Sequence, residues 1–246
     1  TGADIEAARK LLIDRGAADG VSGTLMERYF SGRQDIVNFN HIETSNVTQM
    51  WACFLGCSNI VSYPLIDTTS VTSMGYAFQS NNSLESFPAI QAPLCTDFRN
   101  AWQSCAALTS FPADAKLGTA AENVDFSSAF TSCTALTELP AGLDMSQGVN
   151  FQGAFVYCGS LATIDSTIKL GTASTGVNFH TAFYGSGLTA LPANLDLSQG
   201  SNFESTFQNC TSLATIGSGV LLGTAAATPT VRFTLAFYNT ALTALP

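Results

Sequence analysis

Basic side chains are scarce in this 246-residue chain, which has 9 Lys and Arg against 18 Asp and Glu and a net charge of −9. Five of the nine basic residues lie within residues 1–35, so the rest of the chain has only Arg99, Lys116, Lys169 and Arg232. A nucleic-acid-binding protein needs a basic stripe that neutralises phosphates, and an anionic membrane surface attracts the same stripe. The composition therefore predicts no nucleic-acid partner and no binding to an anionic membrane.

Long apolar runs and catalytic signatures are also missing. No run of eighteen apolar residues occurs, so we expect no membrane insertion. The two histidines, His41 and His180, are far apart, and no zinc, nucleophile-elbow or phosphate-loop motif is present. Asp144 and Asp196 recur in similar LDxSQG segments, which we interpret as turn caps, with a calcium site as the alternative. The sequence therefore predicts no enzyme, no cofactor and no metal.

The chain does contain a sequence motif that repeats every 24 to 30 residues. NVDFSSAFTSCTALTELP (123–140) and VNFQGAFVYCGSLATI (149–164) align on a central aromatic residue. Fixed periods of this size are typical of a solenoid, whose coils bury their apolar faces against one another. We predict a solenoid of about eight coils over residues 46–246, with these central rings in one buried stack: Phe54, Phe78, Trp102, Phe130, Phe155, Phe183, Phe207 and Phe237.

Each repeat also predicts its own local structure. A large apolar residue stands four positions before the central ring, as Phe151 does before Phe155, and a small residue such as Ala154 directly precedes the ring. This i, i+4 spacing predicts a short helical turn. The later apolar–x–x–apolar step, such as Leu161 to Ile164, predicts a short strand, and a Pro often follows it.

The N-terminal residues 1–45 do not carry the repeat. Their helical spacing predicts one helix that Gly16 ends and a second short helix from Thr24 to Phe30. We interpret this segment as a helical cap over the first coil, or alternatively as a linker to another part of the protein. No cap sequence follows the last coil, so we predict that the C-terminal end of the solenoid is open, and that either the natural chain continues past residue 246 or this face docks on other subunits.

Five of the seven cysteines occupy one position, three residues after the central ring: Cys57, Cys105, Cys133, Cys158 and Cys210. In the second coil this place is taken by Asn81. A position that recurs once per coil indicates interior packing, with the thiol as a weak hydrogen-bonding group. We predict buried free thiols; a disulfide between neighbouring coils, such as Cys105 to Cys133, is the alternative.

The segments NVTQMWACFLGCSNIVSYP and SVTSMGYAFQSNNSLESFP resemble the BspA-type leucine-rich repeats of bacterial surface proteins. That family repeats a hydrophobic–x–x–Ala-Phe–x–x–Cys–x–x–Leu core, and similar domains occur in phage tail and fibre proteins. The resemblance covers roughly residues 46–246. It implies a leucine-rich-repeat solenoid at a cell or virion surface, with adhesion or receptor binding and without enzymatic chemistry.

Aromatic residues at variable repeat positions are the candidate ligand-binding residues: Trp51, Tyr76, Tyr157, Tyr184 and Tyr238. Exposed rings among polar groups suit contacts with sugars or proteins, although they also pack against neighbouring coils. We therefore predict an extracellular adhesion or receptor-recognition module that binds a surface glycan or protein of a host or neighbouring cell. The alternatives are a structural spacer of a virion or surface layer and a glycan-processing enzyme, which needs a carboxylate pair in one cleft.

Overall fold

Short parallel strands joined by tight turns build a solenoid along the chain. The structure is a computed structural model that describes residues 25–37, 39, 44–224 and 230–244. Within these residues the strands are β1 (Gln91–Ala92), β2 (Lys116–Leu117), β3 (Val124–Asp125), β4 (Glu138–Leu139), β5 (Asp144–Met145), β6 (Gly148–Asn150), β7 (Thr163–Ile164), β8 (Lys169–Leu170), β9 (Val177–Asn178), β10 (Ala190–Leu191), β11 (Asp196–Leu197), β12 (Gly200–Asn202), β13 (Thr215–Ile216) and β14 (Leu221–Leu222).

Every strand pairs in parallel with the equivalent strand of a neighbouring coil. The sheet orders are β1-β2-β5-β8 and β12-β9-β6-β3, and the remaining pairs are β4-β7, β10-β13 and β11-β14. Glu138 pairs with Thr163 and Leu139 pairs with Ile164. The predicted apolar–x–x–apolar step, such as Leu161 to Ile164, therefore does end in a strand. The predicted leucine-rich-repeat solenoid is confirmed as a parallel β-solenoid. No helix of the described residues is long and apolar enough to span a bilayer.

The turns that carry the central rings are not helical, so that part of the prediction is wrong. The Phe54 N–H donates to the Ala77 carbonyl of the next coil (2.8 Å), whereas the Cys53 N–H donates back to the Met50 carbonyl (3.0 Å). Residues two before and two after each ring have positive φ, as Ala52 (51°) and Gly56 (70°) do. Two successive β-turns of this kind return the side chain to the same face after four residues, which mimics helical spacing.

The central rings form one continuous stack, as predicted. Neighbouring centroids lie 5.0–6.1 Å apart with nearly parallel planes from Phe30 to Phe237. The rings from Phe54 to Phe207 are fully buried. A second stack of rings, four residues earlier in each of the last six coils, runs beside it: Phe98, Phe126, Phe151, Phe179, Phe203 and Phe233.

A further coil precedes the eight that the repeat predicts. The chain from Leu25 to Phe30 forms a turn instead of the predicted helix. The Met26 N–H donates to the Gln49 carbonyl (2.8 Å), and the Phe30 ring stacks on Phe54 at 5.2 Å. Sequence reasoning missed this coil because a bulky Tyr29, rather than a small residue, precedes its ring. The helix predicted before Gly16 and the rest of residues 1–24 lie outside the described residues, and their role as a cap stays a prediction.

Apolar side chains are exposed on the C-terminal coil. Phe233 is 43% exposed, whereas the equivalent Phe203 of the preceding coil is fully buried. Leu235 and Tyr238 are also exposed, and Phe237 is half-buried. No further described coil packs on these residues. Leu245 and Pro246, the last residues of the predicted final step, lie outside the described residues.

All seven cysteines are buried and free, which confirms the predicted thiols. The five cysteines that stand three residues after a central ring form what we call the cysteine ladder. Each of their thiols donates to the carbonyl of the central residue one coil earlier, with Sγ–O distances of 3.0–3.2 Å. Burial raises the pKa of the Cys105 thiol to about 12. It has the same effect on the pKa of Cys158. The cysteine ladder therefore joins coils by hydrogen bonds and holds its protons tightly.

The cysteine ladder makes the solenoid sensitive to alkali. Because the folded pKa of Cys105 and Cys158 lies near 12 and the ordinary pKa is 9.0, the folded state holds these protons more tightly than the unfolded state. Their contribution to the free energy of unfolding is complete below about pH 9 and falls as the pH rises towards about 12. Urea unfolding across this range measures the loss, and stability that rises with pH there would contradict it.

Alkylation tests the thiols directly. We expect Cys105, Cys133 and Cys158 to resist iodoacetamide in the folded chain, because only the thiolate reacts and all three are buried. Denaturation without reductant is expected to expose all three to the reagent. Mass spectrometry of the peptides measures the modification, and recovery of disulfide-linked peptides would contradict the assignment.

Candidate binding surface on the aromatic turns

The five predicted aromatic residues all lie on the turns that carry the central rings, which we call the aromatic turns, in two strips that run along the solenoid. We call residues three and two before each central ring the leading strip, and residues one and two after it the trailing strip. Trp51 and Tyr76 belong to the leading strip of adjacent coils. Tyr157, Tyr184 and Tyr238 belong to the trailing strip of the C-terminal coils. The structure therefore divides the candidates into two separate clusters.

In the first cluster, which consists of Trp51 and Tyr76, the rings pack on each other and Arg28 packs on the Trp51 ring. The ring centroids of Trp51 and Tyr76 lie 5.7 Å apart in an edge-to-face arrangement. The Arg28 guanidinium carbon lies 4.7 Å from the centroid of the Trp51 ring, in a cation–π contact. Trp51 is half-buried rather than exposed. One face of the indole is thus taken by Arg28, a residue that the sequence analysis did not select.

Charged groups lie beside this first cluster. Arg99 Nε is 2.9 Å from Asp97 Oδ1 and 3.8 Å from Asp125 Oδ2 in the next coil. Burial raises the pKa of Asp97, but hydrogen bonds from Arg99 and Ser73 outweigh it, so the pKa lies below its ordinary value. The proximity of Asp97 raises the pKa of Arg99. Arg99 and Asp97 therefore form an ion pair in which both side chains are charged.

A polar ladder that the sequence analysis missed runs next to the leading strip. Asn150 donates through Nδ2 to Asp125 Oδ1 (3.1 Å), and Asn178 donates to Asn150 Oδ1 (3.2 Å). The carboxylate or amide oxygen also accepts the backbone N–H two residues later, as Asp125 does from Ser127. These side chains cap turns and join coils. The available signal was a polar residue five positions before each central ring from Phe54 to Phe237.

The second cluster contains two exposed rings and, between them along the solenoid, a chain of hydrogen bonds. Tyr157 and Tyr238 are 56% and 60% exposed. The Tyr157 ring packs edge-to-face on Tyr184, with centroids 5.6 Å apart. Asn209 Nδ2 donates to the Tyr184 hydroxyl oxygen (2.7 Å), and Asn239 Nδ2 donates to Asn209 Oδ1 (2.8 Å). We call these five residues the tyrosine–asparagine cluster.

The two asparagines were missed by the sequence analysis, although they share a repeat position. Asn209 and Asn239 both stand two residues after a central ring, where φ is 61° and 57°. Asn tolerates this left-handed conformation better than most residues, because its short polar side chain bonds locally. Their backbone geometry therefore explains the residue type, and their side chains extend one ladder from coil to coil.

Tyr157 occupies a position that disfavours a large side chain. Its φ is 56°, and the equivalent residue in three other coils is Gly32, Gly56 or Gly185. A Cβ atom on Gly185 would lie 2.9 Å from Cδ1 of the Tyr157 ring. The Tyr157 ring therefore lies directly against the backbone of the next coil, and the glycine there leaves space for it.

The two aspartates that were considered as calcium ligands have structural roles. Asp144 Oδ1 accepts the Ser146 N–H (3.1 Å), and Asp196 Oδ1 accepts the Ser198 N–H (2.9 Å), so both are turn caps as predicted. His180 lies on the leading strip, and His41 is outside the described residues. Across the described part of the chain, no three His, Cys, Asp or Glu side chains lie close enough to hold a metal ion.

Comparison with known proteins finds two solved structures of low similarity. No protein-family model and no curated protein matches the chain. A leucine-rich cell surface protein from Faecalibacterium prausnitzii is 25% identical over 65% of this chain and 39% of its own, with a TM-score of 0.44. A leucine-rich repeat protein from Bacteroides ovatus is 15% identical over 79% of this chain and 63% of its own, with a TM-score of 0.22. The matched region spans less than two thirds of either structure.

Proposed function

We propose that this chain is a non-enzymatic recognition module on a bacterial cell or phage particle, where it binds a surface glycan or protein of a host or neighbouring cell. The observation that carries the proposal is the tyrosine–asparagine cluster. It presents two exposed rings beside hydroxyl and amide groups that are already held in place. Rings with one polar end are favoured where a surface must contact both apolar and polar parts of a partner.

A glycan-processing enzyme would need a carboxylic acid whose pKa is raised, paired with a second carboxylate. Among the described carboxyl groups whose pKa departs from the ordinary value, the pKa is lowered: Asp35, Asp67, Asp97, Asp144 and Asp165. Hydrogen bonds from neighbouring side chains contribute to each lowering. This pattern favours carboxylates that cap turns and form ion pairs over a general acid.

Binding to envelope material separates the three alternatives. We expect the fluorescently labelled full chain to bind envelopes of the host or neighbouring cells in a saturable manner, with no soluble saccharide released. Tyr157→Ala together with Tyr238→Ala is expected to abolish this binding, and Tyr76→Ala provides a control in the first cluster. Absence of saturable binding would favour a spacer, whereas release of reducing sugars would favour an enzyme.

We also propose that the exposed apolar end docks other subunits. Phe233 and Leu235 are both exposed on the C-terminal coil, and exposed apolar side chains of this kind mark interaction sites. We expect the average mass measured by light scattering to rise with concentration, and Leu235→Asp to reduce that rise. A monodisperse monomer at every concentration would contradict this proposal.

A further inference from the structure

We infer that the tyrosine–asparagine cluster binds a linear, uncharged glycan. The inference rests on the proposed function and names the ligand class for the same surface. The cluster consists of Tyr157, Tyr184, Asn209, Tyr238 and Asn239. Four observations carry it: the absence of charge on the strip, the fixed and exposed ring of Tyr157, the direction of the hydrogen bonds and the linear spacing of the groups.

The trailing strip carries no charged residue in any described coil. Its positions are Ser31, Gly32, Leu55, Gly56, Gln79, Ser80, Gln103, Ser104, Thr131, Ser132, Val156, Tyr157, Tyr184, Gly185, Gln208, Asn209, Tyr238 and Asn239. An acidic or basic polymer laid along this strip would lose hydration and gain no opposite charge. The leading strip, by contrast, includes Glu27, Arg99 and Glu204. An uncharged ligand is therefore the one that suits the trailing strip.

The position of Tyr157 points to a binding role for its ring. Its backbone has a positive φ, which is unfavourable for a bulky residue. The structure offers no packing compensation of the usual size, because 56% of the side chain stays exposed. The ring is nevertheless fixed, with Tyr184 at its edge and Gly185 beneath it. A fixed and exposed ring is a prepared surface on which a sugar ring can stack.

The hydrogen bonds of the cluster run in one direction. Asn239 donates to Asn209, and Asn209 donates to the Tyr184 oxygen. The Tyr184 hydroxyl proton is therefore directed away from Asn209, and none of the described residues accepts it. A sugar hydroxyl both donates and accepts, so it can bond to this proton and to the amide groups beside it. Because the amides are already ordered, binding loses less side-chain entropy.

The groups are spaced along a line. Tyr157, Tyr184, Asn209 and Asn239 come from four consecutive coils, and parallel chains repeat at about 4.8 Å, so the cluster extends over about 15 Å. One chemical group per coil matches a ligand that is itself extended and built of repeating units. The exposed rings of Tyr157 and Tyr238 stand near the two ends of this row. A linear oligosaccharide fits this arrangement better than a single small molecule.

The test uses the full chain and defined oligosaccharides. An array of linear neutral and acidic oligosaccharides identifies the ligands, and isothermal titration calorimetry measures their Kd. We expect neutral members alone to bind. Tyr157→Ala and Tyr238→Ala are each expected to weaken Kd about tenfold or more, which corresponds to about 1.4 kcal/mol. Tyr157→Phe keeps the ring and is expected to retain binding.

Tyr76→Ala is the matched control, because Tyr76 is also a tyrosine with positive φ (60°) but lies in the first cluster. Neutral-glycan binding that survives Tyr157→Ala and Tyr238→Ala would overturn the inference while leaving the proposed function intact. Binding of acidic oligosaccharides alone, or of a purified surface protein but no oligosaccharide, would overturn it in the same way. No binding to oligosaccharides, surface proteins or envelopes would overturn both.

Discussion

Phe155→Ala is expected to lower the free energy of unfolding by about 3–5 kcal/mol, the usual cost of truncating a fully buried Phe. Phe155 stacks between Phe130 at 5.4 Å and Phe183 at 5.1 Å, and no part of its side chain reaches solvent. Loss of the ring therefore leaves a cavity between coils as well as removing apolar contact. Urea unfolding followed by circular dichroism measures the change.

Gln152→Ala provides the control for this substitution. Gln152 belongs to the same coil, and its side chain is exposed. Surface substitutions of this kind change stability by about 0.5 kcal/mol or less. Equal stability losses for Phe155→Ala and Gln152→Ala would show that the central rings do not hold the coils together.

Gly171→Ala is expected to destabilise the solenoid by about 2–5 kcal/mol, because it combines two costs. Its φ of 65° is unfavourable for any residue with a Cβ, at roughly 1–2 kcal/mol. A Cβ there would also lie 2.8 Å from the Gly148 carbonyl oxygen and 2.8 Å from the Val177 side chain, and overpacking adds about 1–3 kcal/mol. Thermal or urea unfolding of the variant measures the sum.

Gly176→Ala separates the two costs. Gly176 has nearly the same φ, 68°, but a Cβ there would meet only Ser201 Oγ at 4.0 Å. We therefore expect this variant to lose only about 1–2 kcal/mol, the backbone cost. If Gly171→Ala proves no more destabilising than Gly176→Ala, the close approach of the Gly171 backbone to Gly148 and Val177 is wrong.

The register of the solenoid was predictable because every coil must repeat the same buried contacts. Phe54 and Phe155 occupy equivalent places in the ring stack, and Cys57 and Cys158 equivalent places in the thiol ladder. In stacked coils each position contacts the equivalent position of the neighbouring coil, so the same type of residue packs well there in every coil. The recurrence of one residue type at a repeat position therefore correctly predicted that its side chain is buried.

The turn conformation was not predictable from apolar spacing alone. A helix and two successive β-turns both bring side chains four residues apart to one face, so Met50 and Phe54 fit either. The distinguishing signal lay in the residues that need positive φ, such as Gly56 and Asn209. Gly recurs there because it has no Cβ, and Asn and Ser recur there because their side chains are short and polar; the helical interpretation overlooked them.

The candidate site was predicted only in part, since its contacts join different coils. The sequence indicated Tyr157, Tyr184 and Tyr238 as exposed rings, and Tyr157 and Tyr238 are exposed. It did not indicate Asn209, which bonds to Tyr184 of the preceding coil. Nor did it indicate that Arg28 covers Trp51, because Arg28 belongs to a coil that the repeat pattern did not reveal.

Hydroxyl-radical footprinting tests most directly the claim that the tyrosine–asparagine cluster is the recognition surface. The full chain is oxidised alone and with the envelope fraction that it retains, and mass spectrometry follows each tyrosine. The proposed surface predicts that bound ligand slows the oxidation of Tyr157 and Tyr238, both exposed in the free chain, and leaves that of Tyr76 unchanged. Protection of Tyr76 with unchanged oxidation of Tyr157 and Tyr238 would contradict it.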